Sequence, residues 1–310
     1  MVIEFFGVRG SLATPLTFDV FRQKAISLLE KYQDNKAQPP SDFFDSLPLE
    51  DKLIFGGNTP CVLVQNKENE RIILDAGSGL RVLGNRFAGE SNTTYHIFLS
   101  HFHWDHICGI PFFKPIYNPT NTVIFYSPSK KLSYALNRQQ HEQHFPVSFK
   151  SLPAKRRLVI LKENFGHTLG EFNIRPIKLN HPGGSYGYVV MSDKTKLSYL
   201  TDAEFTGENI EGKELFYKAI FESSDLIIMD TQYSLNESFR KIDWGHTSSS
   251  MAVNLSLEWR AKRLVTFHYD PDHSDKELFR IGKDAREQSK VFNKRQLEII
   301  RAYEGLVLTI

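Results

Sequence analysis

An α/β protein of two packed β-sheets with helices outside is what this sequence predicts, and three observations carry it. Short apolar runs ending in small or polar residues recur along the whole chain, as strands do. Between them lie segments whose apolar residues return at i, i+3 and i+4, the spacing of an amphipathic helix. Hairpin spacing comes early and strand–helix alternation late, which suggests two sheets packed together beneath helices. With 310 residues, 41% hydrophobic and 24% charged, the composition is globular and excludes a disordered or collagen-like chain.

The expected strands of the first half are Val2–Phe6, Cys61–Gln65, Arg71–Leu74, Tyr95–Leu99 and Thr122–Tyr126. Those of the second half are Ile174–Leu179, Tyr186–Met191, Leu197–Leu200, Leu226–Met229, Arg263–Phe267 and Gly305–Ile310. Phe18, Phe21, Ala25, Leu28, Leu29 and Tyr32 mark one helix by their spacing. Further helices are expected over Lys213–Phe221, over Ser248–Arg260 with Thr247 or Ser248 as cap, and over Ser274–Gln288. The stretch 15–53 holds the first helix, the helix-stopping Pro39-Pro40 and the apolar Phe43-Phe44. It is too short for a core of its own, so residues 1–310 are expected to form one domain with a helical insertion after the first strand. Its apolar stripe predicts packing on the main body or at a dimer interface. No repeat or low-complexity tract is present.

A net charge of +2 gives no sign of a protein that depends on a large positive field to hold nucleic acid. The sequence has no apolar run of about 18 residues, the length of a membrane span, and its first residues read as a strand, not as a secretory signal. Two isolated cysteines, Cys61 and Cys108, rule out a disulfide framework and a CxxC-type zinc site. A soluble, cytoplasmic chain is the expectation.

The chemistry concentrates in Ser100-His101-Phe102-His103-Trp104-Asp105-His106, directly after the apolar Ile97-Phe98-Leu99. Side chains at i and i+2 of an extended chain share a face, so His101 and His103 can aim at one point beyond the strand. Asp105 and His106, past the turn, can meet a second ion beside the first. Imidazole and carboxylate suit zinc, and also manganese or iron. The bland alternative is a buried histidine cluster satisfied by hydrogen bonds. His181, Asp202 and His268 each follow a strand's carboxyl end as well. Taken singly, each would be an ordinary polar residue at a loop edge; taken with the first motif, they complete a site. His101, His103 and His181 would hold one ion, Asp105, His106 and His268 the other, with Asp202 bridging both.

Over nearly its full length the chain resembles the metallo-β-lactamase-fold hydrolases. The resemblance is to the phosphodiesterase branch, which includes cyclic-nucleotide phosphodiesterases and, more distantly, tRNA 3′-processing endonucleases. It rests on Gly7-Val8-Arg9-Gly10-Ser11, Gly56-Gly57-Asn58-Thr59-Pro60-Cys61, Leu74-Asp75-Ala76-Gly77-Ser78-Gly79 and Leu99 to His106. Later matches are His181-Pro182-Gly183-Gly184, Tyr199-Leu200-Thr201-Asp202, Trp244-Gly245-His246-Thr247-Ser248 and Phe267-His268. The resemblance implies a four-layer αββα sandwich. It also implies that His246 is a non-ligand histidine brought to the scissile phosphate. Two divalent ions, zinc first and manganese or iron as alternatives, would activate water and take up charge on the phosphoryl oxygens. Asp202 would orient the water, and His246 would donate a proton to the leaving group or hold the phosphate. Asp105, a ligand, belongs to the same catalytic set.

The expected function is therefore a dinuclear phosphodiesterase acting on a small phosphodiester, best a 3′,5′-cyclic nucleotide opened to its 5′-monophosphate. Alternatives are an RNA-end-processing nuclease of the same fold and a metal-dependent nucleotide-binding protein without turnover. The tRNA-processing enzymes carry a long arm between their third and fourth ligand motifs. Here only a hairpin fits between His181 and Asp202, so nucleic acid is not the expected partner. A homodimer is a family-level expectation.

Other residues admit two readings each. Asp75 suits a carboxylate that accepts from the far nitrogen of a ligand histidine, or a turn former. His167 repeats the His246 pattern but falls among hairpin strands and reads as structural. His141-Glu142-Gln143-His144 has the wrong interval for a helical zinc-protease motif and reads as surface. His273 competes with His268 as last ligand. Cys61 and Cys108 read as packed thiols. Arg9 and Ser11 either meet a phosphate or close a turn. Lys155-Arg156-Arg157 reads as a solvated face. Trp104, Phe112, Phe113 and Tyr117 read as core, with one or two able to stack on a base at the site mouth.

Overall fold

Alternation along the strands decides the architecture. Phe5, Val62, Ile72 and Leu74 point into one apolar cluster while their neighbours Phe6, Leu63 and Ile73 point into another. Successive side chains of a strand face opposite ways, so each such strand separates two buried layers. In the same way Ile228 joins the first cluster and Ile227 and Met229 a third. The shared cluster lies between two sheets, and the other two lie under helices on the outer faces.

The computed structural model describes residues 1–34, 37–205, 211–292 and 297–310. Its strands are β1 (Val2–Gly7), β2 (Cys61–Gln65), β3 (Arg71–Leu74), β4 (Thr94–Phe98), β5 (Thr122–Ser127), β6 (Lys155–Ile160) and β7 (His167–Leu169). They continue with β8 (Phe172–Leu179), β9 (Ser185–Ser192), β10 (Thr195–Leu200), β11 (Leu226–Asp230), β12 (Arg263–Phe267), β13 (Glu298–Arg301) and β14 (Val307–Thr309). One sheet runs β14-β1-β2-β3-β4-β5-β6 and the other β13-β12-β11-β10-β9-β8-β7. The helices are α1 (Phe18–Gln33), α2 (Pro40–Ser46), α3 (Leu49–Lys52), α4 (Gly79–Arg86) and α5 (Trp104–Ile107). After them come α6 (Leu132–Gln139), α7 (Glu214–Phe221), α8 (Leu235–Ser238), α9 (Ser249–Glu258) and α10 (Asp275–Phe292). This is the four-layer αββα sandwich that the sequence predicts.

Strand direction positions the site. β3, β4, β5 and β6 are mutually parallel, as are β10, β11, β12 and β13. β8 and β10 each pair antiparallel with β9, so β8 runs with β10. The carboxyl ends of β3 and β4 in one sheet and of β8, β10, β11 and β12 in the other therefore carry the residues of the site.

Every expected strand is present to within a residue or two. The unpredicted β6 begins with Lys155-Arg156-Arg157 and is the edge of its sheet, where basic side chains discourage further strand pairing. β7 is three residues long, and β13 has only Ile299-Ile300 as its apolar pair, too little pattern to read. Helices α4 and α6 also lay outside the sequence reading, although Leu80, Leu83, Leu132 and Leu136 anchor them in the core. Ser248 caps α9, its hydroxyl accepting from the Met251 amide.

Of the two packings expected for the apolar stripe of the insertion, on the body or at a dimer interface, the first does not hold for α1. None of the residues of α1 is buried, and Phe18, Phe21 and Leu29 face solvent at 74%, 54% and 62% exposure. Its described ties are local: the Tyr32 ring tilts against buried Phe43 of α2 at 5.1 Å, Lys24 donates to the Leu53 carbonyl, and Lys31 pairs with Asp51. Phe43 belongs to none of the three core clusters. Phe43→Ala should therefore speed proteolytic cleavage within α1 while leaving the unfolding free energy of the body within about 1 kcal/mol of the parent. A large drop in the main denaturant transition would show that α1 is part of the central fold.

Candidate metal centre

Two groups of side chains meet at the strand ends, sharing Asp202. His101, His103 and His181 face its Oδ2: the Nε2 atoms of His101 and His181 lie 3.4 and 3.6 Å from it, and His103 Nδ1 lies 3.1 Å from His181 Nε2. Asp105, His106 and His268 face its Oδ1, with His106 Nε2 at 3.1 Å and His268 Nε2 at 3.0 Å. Asp105 Oδ2 stands 3.2 Å from His106 Nε2 and 3.1 Å from His268 Nε2. Ligand atoms around a tetrahedral zinc at roughly 2.0–2.1 Å sit about 3.3 Å apart, so these separations fit an ion in each group. The Nε2 of His101 is buried without a hydrogen-bond partner, the condition of a lone pair awaiting a cation. The seven residues proposed as ligands are thus all brought together, and Asp202 is placed to bridge.

The backbone is shaped for this. Asp75, Asp202 and His268 have φ values of 59°, 46° and 61°, left-handed conformations that non-glycine residues seldom adopt. Each stands within two residues of its strand's end, and the kink turns the side chain into the centre; strain of this kind gathers at functional sites. A Cβ on Gly10 would lie 2.4 Å from the His268 ring, so only glycine lets the first loop pass.

Charge divides the two groups. Burial pushes His101, His103 and His181 down, favouring neutral rings with lone pairs to give. Burial also acts against charge on His106 and His268, but Asp202 and Asp105 outweigh it, raising both and His268 to about 10. Burial opposes ionisation of Asp202 too, and His106, His268 and His101 together hold its carboxyl well below the usual range. A divalent ion held by Asp105, His106, His268 and Asp202 would replace protons as the balancing charge.

The supporting residues are ordered in turn. Buried Asp75 accepts from the Ser100 amide and hydroxyl, from the Tyr199 hydroxyl and from His106 Nδ1, at 2.8, 2.9, 2.8 and 2.9 Å. It thereby aims His106 Nε2 at the centre, as the sequence reading allowed. The Ser11 amide donates to Asp105 Oδ2 at 2.8 Å. His181 Nδ1 donates to the Gly245 carbonyl at 2.9 Å, and buried Glu204 accepts from the Gly245 amide, also at 2.9 Å.

His246 stands beside both groups, its ring centroid 5.2 Å from those of His181 and His268. Its Nδ1 lies 2.7 Å from Asp230 Oδ2, which fixes the proton on Nδ1 and leaves Nε2 as the acceptor nitrogen. Asp202, Asp230, His246 and His268 also converge closely enough to suggest a third ion. Asp230 is already engaged, accepting from His246 and from the Gln232 amide, so the pair is better read as an oriented histidine.

Asp230 and Glu204 were missed from the sequence. The rule that found Asp202, an acidic residue at an apolar strand's end, applies equally to Asp230 after Leu226–Met229; Glu204 carries no such signal. Arg9 closes no local turn: buried, it donates to the carbonyls of Gly56, Asp270 and His273 and so ties the first loop to two distant segments. His273 bonds Glu237 and is no ligand, and His167 lies in β7 against Tyr126. Of the four aromatics assigned to the core, Phe113 is buried, but Trp104 and Phe112 are 83% and 51% exposed.

A two-group histidine–aspartate centre on the edge of an αββα sandwich defines a metallo-β-lactamase-fold, metal-dependent hydrolase. The chain belongs to the beta-lactamase superfamily domain family, whose model matches residues 70–269. It is 23% identical over 257 residues to a ribonuclease Z of Prochlorococcus marinus (strain NATL1A), covering 69% of this chain and 82% of that protein. Among solved structures it resembles the metallo-beta-lactamase fold protein YhfI from Bacillus subtilis, with TM-score 0.64, 18% identity and coverage of 99% and 98% of the two chains. Human tRNase Z, short form, gives TM-score 0.62 at 17% identity, covering 100% and 99%.

Asp75→Asn tests the support of the centre. The amide would set donor against donor at Ser100, Tyr199 or His106. Metal affinity of the His106 group should fall roughly 10–100-fold, measured by competition with a chromophoric chelator. Unchanged affinity of both ions would remove Asp75 from that role.

Proposed function

We propose that this chain hydrolyses a small phosphodiester at a dinuclear metal centre, a 3′,5′-cyclic nucleotide giving its 5′-monophosphate being the best fit. The observation that carries the reading is His246, held by Asp230 beside both ligand groups with Nε2 free to serve a substrate. The donor set suits zinc first, with manganese or iron as alternatives. Bound there, two ions would supply Lewis acidity to activate water and offset charge on the phosphoryl oxygens.

The chain's own groups supply the rest. Asp202, fixed between four histidines, orients the incoming water, and Asp105 holds the second group in place. Once protonated on Nε2, His246 can donate to the departing alkoxide, and Asp230 steadies the imidazolium until that transfer. The β9–β10 hairpin fills the interval between His181 and Asp202, which suits a small substrate. The ribonuclease Z relatives favour a second reading, a nuclease acting on RNA ends. Steep loss of affinity with rising salt would select it.

Two free cysteines suit a reducing compartment, and we infer the cytoplasm. A homodimer belongs to the same reading, since a second copy would cover the exposed apolar residues of α1.

His246→Ala should keep both metals, because the seven ligands lie elsewhere, yet lower turnover of a cyclic nucleotide roughly 10²–10⁴-fold. The loss should shrink for a nitrophenyl phosphodiester if His246 protonates the leaving group, and persist if it only holds the phosphate. Undiminished turnover of both substrates would remove the ground for choosing phosphodiesters.

A further inference from the structure

Next to the metal centre, on the side of Asp105 and Ser11, the surface opens into a cavity of about 800 Å3. That is within the range of small-molecule sites and larger than a phosphate needs. None of its walls except Asp105 and Ser11 takes part in the centre described above. Phe102, Trp104, Phe112, Tyr134 and Phe145 line it. Phe112 and Phe145 meet edge to face at 5.6 Å, while Trp104 and Tyr134 remain 83% and 61% exposed. Large aromatic faces left in water around one concavity mark a binding surface.

The lining selects the occupant. Leu12, Ala13, Ile107, Pro111 and Ala135 line it as well, but the larger faces are the five rings, and aliphatic contact alone would not orient a ligand. Flat rings offer stacking instead, which is tolerant of ring identity. Cationic groups complete the picture: Arg138 Nη1 donates to the Tyr134 hydroxyl at 2.7 Å, and Lys131 lines the cavity as well. Lys131 also borders a smaller recess of about 260 Å3 that contains His101 and His103. A cation thus lies between the cavity and the centre, suited to an anion whose attached ring enters the cavity.

We propose that this cavity receives a planar aromatic group of the substrate, a nucleobase or a ring of like size, and so selects among phosphodiesters. The assignment rests on the phosphodiesterase reading. Its ring could be carried by a free nucleotide or by the end of a strand.

The test uses the metal-loaded full chain and two esters with one leaving group, bis(4-nitrophenyl) phosphate and methyl 4-nitrophenyl phosphate. The aryl ester should show a KM lower by about tenfold, the worth of one stacked ring. Tyr134→Ala and the cavity-filling Ala135→Trp should remove most of that difference while leaving the methyl ester within about twofold. Tyr134 is largely exposed, so its variant keeps the test valid should Ala135→Trp fail to fold. A second readout needs no turnover: AMP, or a short adenylate oligonucleotide, should quench Trp104 emission, judged against Trp104→Phe, where ribose 5-phosphate does not. The stronger quencher of the two tells free nucleotide from strand end. Equal KM values for the esters together with no base-dependent quenching would overturn the cavity assignment. Hydrolysis of neither ester would instead defeat the phosphodiesterase reading, and the quenching would still decide whether the cavity takes a ring.

Discussion

Asp202 is the residue on which the rest of the structure turns. It sits just past the end of β10, its backbone in the left-handed region, with one carboxylate oxygen toward His101 and His181 and the other toward His106 and His268. A buried carboxylate costs several kcal/mol unless cationic partners surround it. His106 and His268, favoured in their charged form, meet that requirement, and His101 and His181 complete the surroundings; the four come from three separate stretches of chain and arrive there only because two sheets stack with their strand ends aligned. The sandwich can be read as the scaffold that brings these stretches to one carboxylate.

The layers explain how such a polar cluster is tolerated. Phe5, Phe98, Tyr188, Tyr199 and Phe267 fill the space between the sheets directly beneath it. Tyr199 belongs to both worlds, its ring packed in that core and its hydroxyl bonded to Asp75. The clustered histidines and aspartates thus rest on side chains held by close packing, which fixes their geometry. Gly245, at φ +86°, lets the loop carrying His246 pass close over His181; a Cβ there would lie 2.2 Å from His181 Nδ1.

Much of this was legible in the sequence, for identifiable reasons. The ligands follow strands with strong apolar patterns, and extended chain geometry makes the aim of His101 and His103 computable from spacing alone. Residues that work at second hand were harder to find. Glu204 accepts from the amides of Asp243 and Gly245, a role fixed by tertiary contact. β13 and β7 were invisible because their stability comes from neighbours, not from their own pattern. The exposed rings of Trp104 and Phe112 looked like core because hydrophobicity reports a preference for cover, not what supplies it. Helix α1 shows the same ambiguity: its periodicity is real, yet its apolar side chains meet no part of the body closely enough to be buried.

The central claim is that one carboxylate bridges two ions. Anomalous diffraction from crystals grown with zinc or manganese, recorded on both sides of the metal's absorption edge, tests it directly. The account predicts two peaks roughly 3.5–4 Å apart, one among His101, His103 and His181 and one among Asp105, His106 and His268, with Asp202 between them. A single peak, or a pair in which Asp202 touches only one ion, would contradict it.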